Sequence, residues 1–386
     1  MMFSRLVMMT TVTLAGTLST FLQAEETSPE ITAALKRAGE NRGQIQAALD
    51  RSPKAQREGM QFLVTHMPDQ DLKTLNAEFL LENLRLAYQA REESAWKAKI
   101  PHEIFLNNVL PYATINEKRD RWRKDFHDRF LPVIKDVQSP GLAAAKLNQN
   151  IFKLTNVKYS TKRAKADQSP YESMESGLAS CTGLSVLLVD ACRSVGIPAR
   201  FAGTPLWTNK SGNHSWVEIW DDGWHFTGAC EATGNSLDRG WFAGRAATAK
   251  RDELAHAIFA VSYKRTPQFF PMAWAADNRS VHAVNVTDRY TRKKEPLPEG
   301  VVIVMFRAVA KSTGDRGIAA IKVTDQAGQV VFEGKTKDER FDANDHVEVR
   351  LRLGEQYQIT FGAAKKESTQ SLKVSKSDHL VTLPLP

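Results

Sequence analysis

Cysteine is scarce in this chain: three residues in 386, at positions 181, 192 and 230. Three thiols cannot make a disulfide framework. No CxxC or HxxxH spacing is present, so no metal site announces itself, and the pattern predicts no metal and no cofactor. Long apolar runs are equally scarce. Only residues 6–22 come near the roughly 20 apolar residues that a membrane span needs, so no span is expected once that stretch is removed. Runs of like charge are missing too. The formal net charge is +8, but the basic residues are dispersed, which argues against nucleic acid as a partner. Charged and hydrophobic fractions of 25% and 42% are those of an ordinary globular protein.

Residues 1–24 read as a secretory signal. Arg5 precedes the apolar stretch, and Leu22-Gln23-Ala24 precedes Glu25-Glu26. Cleavage near Ala24 implies a secreted or periplasmic protein; the alternative is an uncleaved anchor. Export would permit a Cys192–Cys230 bridge. The plainer expectation is that both are small buried residues. Four Asn-x-Ser/Thr triplets, at Asn209, Asn213, Asn278 and Asn285, match the glycosylation pattern. A glycan on Asn213 would crowd His214, so they are not read literally.

Four regions follow from the patterning. After the signal, residues 25–136 are helical, with apolar residues at three- and four-residue intervals in ITAALKRAGE, AQREGMQFLVTHM and NAEFLLENLRLAYQARE. Asn76 is placed to cap the third segment, and Trp122 and Phe126 read as core. Residues 137–292 mix helix and strand. Near Lys293-Lys294-Glu295 the composition shifts, and residues 296–386 alternate in short runs such as VVIVMFRAV, HVEVRLRL and QYQITFG. Turn residues such as Asp342-Ala343-Asn344-Asp345 separate them. That predicts a small β-sandwich (Ig-like) domain, in which no nucleophile or base pairing stands out.

The chemistry concentrates between Gly177 and Trp224. GLASCTGLSVLLVDACRSVGIPAR predicts a helix with Cys181 in its first turn, a buried face of Leu184, Leu187, Leu188, Ala191 and Val195, and a stop at Gly196. Unpaired N–H groups and the helix dipole favour an anion there, hence the thiolate. NHSWVEIW predicts a strand that puts His214, Trp216, Glu218 and Trp220 on one face. A helix-start cysteine facing a strand histidine is a nucleophile-base pair. The polar loop 160–173 is expected to border it. Asn107 or Asn108 is a possible amide for an oxyanion hole, while His256 and His282 read as structural or surface.

Gly-x-x-x-Cys opening a helix, RSVGIPARFAG, then HSWVEIW and DDGW resemble the core of the transglutaminase-like superfamily, densely between Met174 and Trp241. The resemblance implies an α+β papain-like core, its cysteine helix packed on an antiparallel sheet, and a Cys-His-Asp site in that chain order. Cys181 and His214 fall on the nucleophile and base positions. The third position departs from the family, because WHFTGACE puts Gly228 where an aspartate is usual. Glu231 is the expected substitute, reached through a bulge or turn at Gly228, with Asp222 and Asp238 as alternatives. The implied function is an exported cysteine acyl-transfer enzyme acting on peptide or protein amides, a peptidase, amidase or transglutaminase. A catalytically inactive envelope binding or scaffold protein is the other reading. Neither reading sets the oligomeric state.

Overall fold

The computed structural model describes residues 28–292, 296–363, 366–375 and 379–385. The expected signal, its cleavage point and the Lys293-Lys294-Glu295 junction lie outside the described residues. Among the described residues, no helix is long and apolar enough to cross a membrane.

Helices dominate the first half: α1 (Pro29–Arg37), α2 (Arg42–Arg51), α3 (Arg57–His66), α4 (Asp69–Thr74), α5 (Ala77–Glu93), α6 (His102–Asn108), α7 (Trp122–Phe130), α8 (Pro140–Leu154) and α9 (Pro170–Ser176). Their starts carry the expected local chemistry. Asn76 accepts from the Phe79 N–H at 2.9 Å to cap α5, and Ser169 and Glu172 form a capping box at α9. The cysteine helix, α10 (Cys181–Ser194), is buried at every position after Cys181. One apolar cluster runs from Ile31 through Phe126, Leu147 and Leu188 to Val217 and Ile219. The N-terminal helices therefore share a core with the cysteine helix and the sheet.

Two short strands, β1 (Lys158–Tyr159) and β2 (Leu178–Ala179), pair in parallel just before α10. The main sheet uses β3 (Ala199–Thr204), β4 (His214–Trp220), β5 (Trp224–Thr227), β6 (Phe259–Ser262), β7 (Gln268–Phe269) and β8 (His282–Asn285). Its order is β5-β4-β3-β6-β8-β7, and every pair is antiparallel. β3 and β4, the two strands against α10, are locked by a buried cross-strand ion pair. Arg200 stands opposite Glu218, and its Nη2 lies 2.7 Å from Oε2. Tyr290 donates its hydroxyl to Glu218 at 2.8 Å and accepts from the Trp216 indole N–H at 2.7 Å. Arg289 also pairs with Glu218. The Arg of GIPAR and the Glu of HSWVEIW thus have a structural task, fixing the strand whose first residue is His214.

The far end of α10 is tied down as firmly. Arg193 donates to the carbonyls of Asn108, Ala113 and Ala199. Gly196 ends the helix at φ +78°, where a Cβ would meet the Ala90 carbonyl oxygen at 2.5 Å. Cys192 is fully buried, Cys230 is exposed, and all three cysteines are free. The bridge is therefore not made, and only Cys192 is the small buried residue expected of both.

In Asn209, Asn278 and Asn285, the side-chain oxygen accepts from both the N–H and the hydroxyl of the Ser or Thr two residues on. Those triplets are local turns.

The C-terminal part is a two-sheet sandwich. One sheet has β9 (Val301–Ala310) flanked by β10 (Arg316–Gly317), β13 (Val347–Arg352) and β16 (His379–Leu385). The other has the order β12 (Val330–Lys335), β11 (Ala320–Thr324), β14 (Gln356–Ala363), β15 (Lys366–Lys373). Val304, Phe306, Ile321, Ile359 and Leu383 fill the space between them.

The loop between β12 and β13 reaches across to the core. The Ala343 N–H donates to the Tyr159 hydroxyl at 2.7 Å. The Asn344 amide donates to the Asn213 carbonyl at 3.2 Å. Arg245 donates to the Asn344 carbonyl at 2.6 Å and to the Glu348 carboxylate at 2.9 Å.

Candidate active site

Cys181 is the first residue of α10, and Ser180 before it makes no side-chain capping bond. The opening N–H groups of the helix are left for another acceptor. Cys181 is partly exposed and lines a cleft of about 310 Å³. Residues Tyr159, Thr161, Arg163 and Ala166 form one wall, so the loop ahead of the cysteine helix does border the site.

His214 opens β4 and is 1% exposed. Aromatic rings enclose it, with centroids at 4.8 Å for Trp241, 4.9 Å for Phe242, 5.8 Å for Trp216 and 6.0 Å for Trp207.

The carboxylate that meets the imidazole comes from the sandwich. Asp342, in the loop between β12 and β13, brings Oδ2 to 3.5 Å from His214 Nδ1, with both side chains buried. That spacing is an ion pair, too long for an aligned hydrogen bond, and neither ring nitrogen has a hydrogen-bond partner among the described residues. Donor atoms of Cys181, His214 and Asp342 lie within 4.8 Å of one another. No other group of three His, Cys, Asp or Glu among the described residues comes as close. Arg316 holds the loop in place by donating to the carbonyls of Asp338, Phe341 and Asp345.

The electrostatics follow from this packing. Burial works to strip the proton from His214, but the Asp342 carboxylate and the Cys181 sulfur outweigh it and hold the imidazole well above its ordinary range. Burial likewise pushes Asp342 up, and the imidazolium, together with the Asn344 N–H, brings it below its ordinary value. An imidazolium between a sulfur and a carboxylate is the charge arrangement of a thiolate nucleophile and its acid-base partner. The same three donors would also suit a soft divalent metal such as zinc. Sequence spacing could not show this, because the three sit on separate elements.

Glu231 is not the imidazole's partner. The turn expected at Gly228 exists, since the Glu231 N–H donates to the Gly228 carbonyl at 3.2 Å. It folds the Glu231 carboxyl back over Gly228, beside the Trp241 indole. Burial pushes this carboxyl up to about 7, the nearby imidazolium only partly offsetting it. Asp238 is used elsewhere, 2.7 Å from His225 Nδ1. Asp222 sits in the β4–β5 turn at φ +55°.

The two asparagines are also distant. Asn107 bonds Ser262 and the Lys264 N–H, and the Asn108 carbonyl meets Arg193 near the opposite end of α10. His256 and His282 bond backbone carbonyls.

Residues 132–230 match the transglutaminase-like superfamily model. The matched stretch holds Cys181 and His214 and stops before Glu231 and Asp342. No curated protein matches the sequence. Among solved structures, a presumed cysteine protease from Cytophaga hutchinsonii is 13% identical at a TM-score of 0.31, over 53% of this chain and 62% of that one. Red sea bream transglutaminase is 9% identical at a TM-score of 0.30, over 73% of this chain and 66% of that one. The chain thus spans less than two thirds of the length of these solved relatives.

Proposed function

We propose that this protein is an exported cysteine enzyme that transfers the acyl group of a peptide or protein amide through a thioester at Cys181. The reading rests on one observation: a thiol on the wall of an open cleft lies within 4.8 Å of a histidine nitrogen and an aspartate oxygen. The transglutaminase-like match at 132–230 supports cysteine chemistry at that level.

In this reading the Cys181 thiolate attacks the amide carbonyl carbon, and the new oxyanion lies against the free N–H groups at the start of α10. The carbon–nitrogen bond breaks as the His214 imidazolium gives its proton to the leaving amine. Water or a primary amine then attacks the thioester and passes a proton to the imidazole, the carbon–sulfur bond breaks, and the thiolate–imidazolium pair is restored. Asp342 orients the ring and stabilises its cation. The acceptor decides between hydrolysis and cross-linking.

Alkylation with iodoacetamide near neutral pH, read residue by residue by mass spectrometry, tests the pair. Cys181 should react first. Cys192 is sealed in the core, and packing around the Cys230 sulfur, with Glu231 beside it, pushes that thiol up to about 11. His214→Ala should slow labelling of Cys181 alone. Equal, slow labelling of all three thiols would remove the nucleophile. Peptide-library turnover with and without an added primary amine then separates hydrolysis from cross-linking.

A further inference from the structure

Among the described residues, one charged side chain lines the cleft apart from the thiol and Asp342. Arg163 stands on the wall formed by the loop that precedes the cysteine helix. Its basic neighbours are spoken for: Lys162 lies 3.5 Å from Asp315, and Lys165 lies 3.1 Å from Glu172. Among the described residues Arg163 has only the Thr161 carbonyl, which accepts from Nη1 at 2.9 Å, and its Nε is buried with no partner among them. The other charge in the cleft, Asp342, is already balanced by the imidazole behind it. Among the described residues no carboxylate pairs with Arg163, so its guanidinium is left to face the cleft. Trp274, anchored through its indole N–H to Asn116 Oδ1 at 3.1 Å, supplies apolar wall to the same cleft.

We propose that Arg163 is a specificity residue that selects an acyl donor carrying a carboxylate close to the scissile carbonyl. This rests on the reading of Cys181 as nucleophile. A guanidinium presents a planar fork that matches a carboxylate, and a partly desolvated one gains more from the match than an exposed one. The cleft is at the small end for ligand sites, so the carboxylate belongs to the residue at the reacting bond or one next to it. An acidic side chain and a free chain terminus offer the same chemistry.

The test compares two reagents of nearly the same size on the full chain: iodoacetate, which carries a carboxylate, and iodoacetamide, which does not. The quantity read is the ratio of their rates at Cys181, so a general change in thiol reactivity cancels. Arg163→Gln should lower the ratio about three- to tenfold, as expected for loss of a partly exposed charge pair. Arg163→Lys should recover part of it, and 1 M salt should shrink the wild-type advantage.

Equal ratios in wild type and Arg163→Gln would overturn the assignment while leaving the nucleophile in place. No labelling by either reagent would remove the nucleophile, and the assignment with it. Protection of Cys181 from iodoacetamide by capped peptides distinguishes the two carboxylate sources. One peptide has a glutamate side chain and an amidated end, one has a free terminus and no acidic side chain, and one has neither. At least one acidic peptide should protect, and Arg163→Gln should abolish that protection. Equal protection by the uncharged peptide would refute the selection.

Discussion

Replacing Asp342 by Asn should disarm a thiol that lies in a different part of the chain. Two unit charges 3.5 Å apart attract by about 5 kcal/mol at the effective dielectric constant of about 20 that serves even for buried pairs. Desolvation already opposes the charge on His214, so deleting its counter-charge leaves burial as the main influence and favours the neutral ring. After allowance for reorganisation, the affinity of the ring for its proton should fall roughly a hundred- to a thousandfold. Iodoacetamide alkylation of Cys181 at neutral pH should slow, by up to that factor. Asn at 342 can still accept the Asn344 N–H, now bonded at 2.9 Å, so the loop need not collapse; circular dichroism would check that. The sharper readout is the pH profile. Wild-type reactivity should already be present at and below neutral pH, because the imidazolium holds the sulfur as thiolate, and the variant should need more alkaline pH to reach the same rate. An unchanged rate and profile in Asp342→Asn, with a loss in Glu231→Gln, would refute the pairing and return the third role to Glu231.

Three other perturbations follow from the same structure. The Glu231 carboxyl titrates near 7 when folded against an ordinary 4.5. The native state therefore binds more protons than the unfolded one between those values, and stability falls as pH rises through that window, by about 3 kcal/mol in all. Glu231→Gln should flatten the difference between denaturant unfolding at pH 5 and pH 8, and parallel profiles would count against it. Arg245→Ala removes the donors that hold the Asn344 carbonyl and Glu348. It should cost about 2 kcal/mol and slow Cys181 labelling through Asp342. Gly196→Ala puts a side chain at φ +78° and 2.5 Å from the Ala90 carbonyl oxygen. A loss of about 3 kcal/mol is expected, measurable as a lower urea midpoint.

What could be read in the sequence was what has a local signature. Cys181 opens a periodic helix and His214 opens an alternating strand, so each was placed by its own neighbourhood. Asp342 had no such signature. It stands in Asp-Ala-Asn-Asp, which reads as generic turn chemistry. Only the docking of that turn on Tyr159, Asn213 and Arg245 gives it a partner. The family spacing drew attention to the residues after Trp224. The turn at Gly228 does bring Glu231 near the imidazole, but it aims the carboxyl toward Trp241 instead. β15 escaped for the opposite reason: KESTQSLK is an exposed edge strand with only Leu372 buried, so no apolar alternation marks it. The depth of the N-terminal helices in the shared core was also invisible, because periodicity shows which face is apolar and not what covers it.

A site whose third charge arrives from the sandwich has a built-in order of assembly. Synthesis delivers sulfur and imidazole first, and Asp342 much later. A chain that is stalled or clipped between them holds a thiol and a ring that no carboxylate steadies. Such a fragment would stay chemically quiet however well its own helices and sheet had formed.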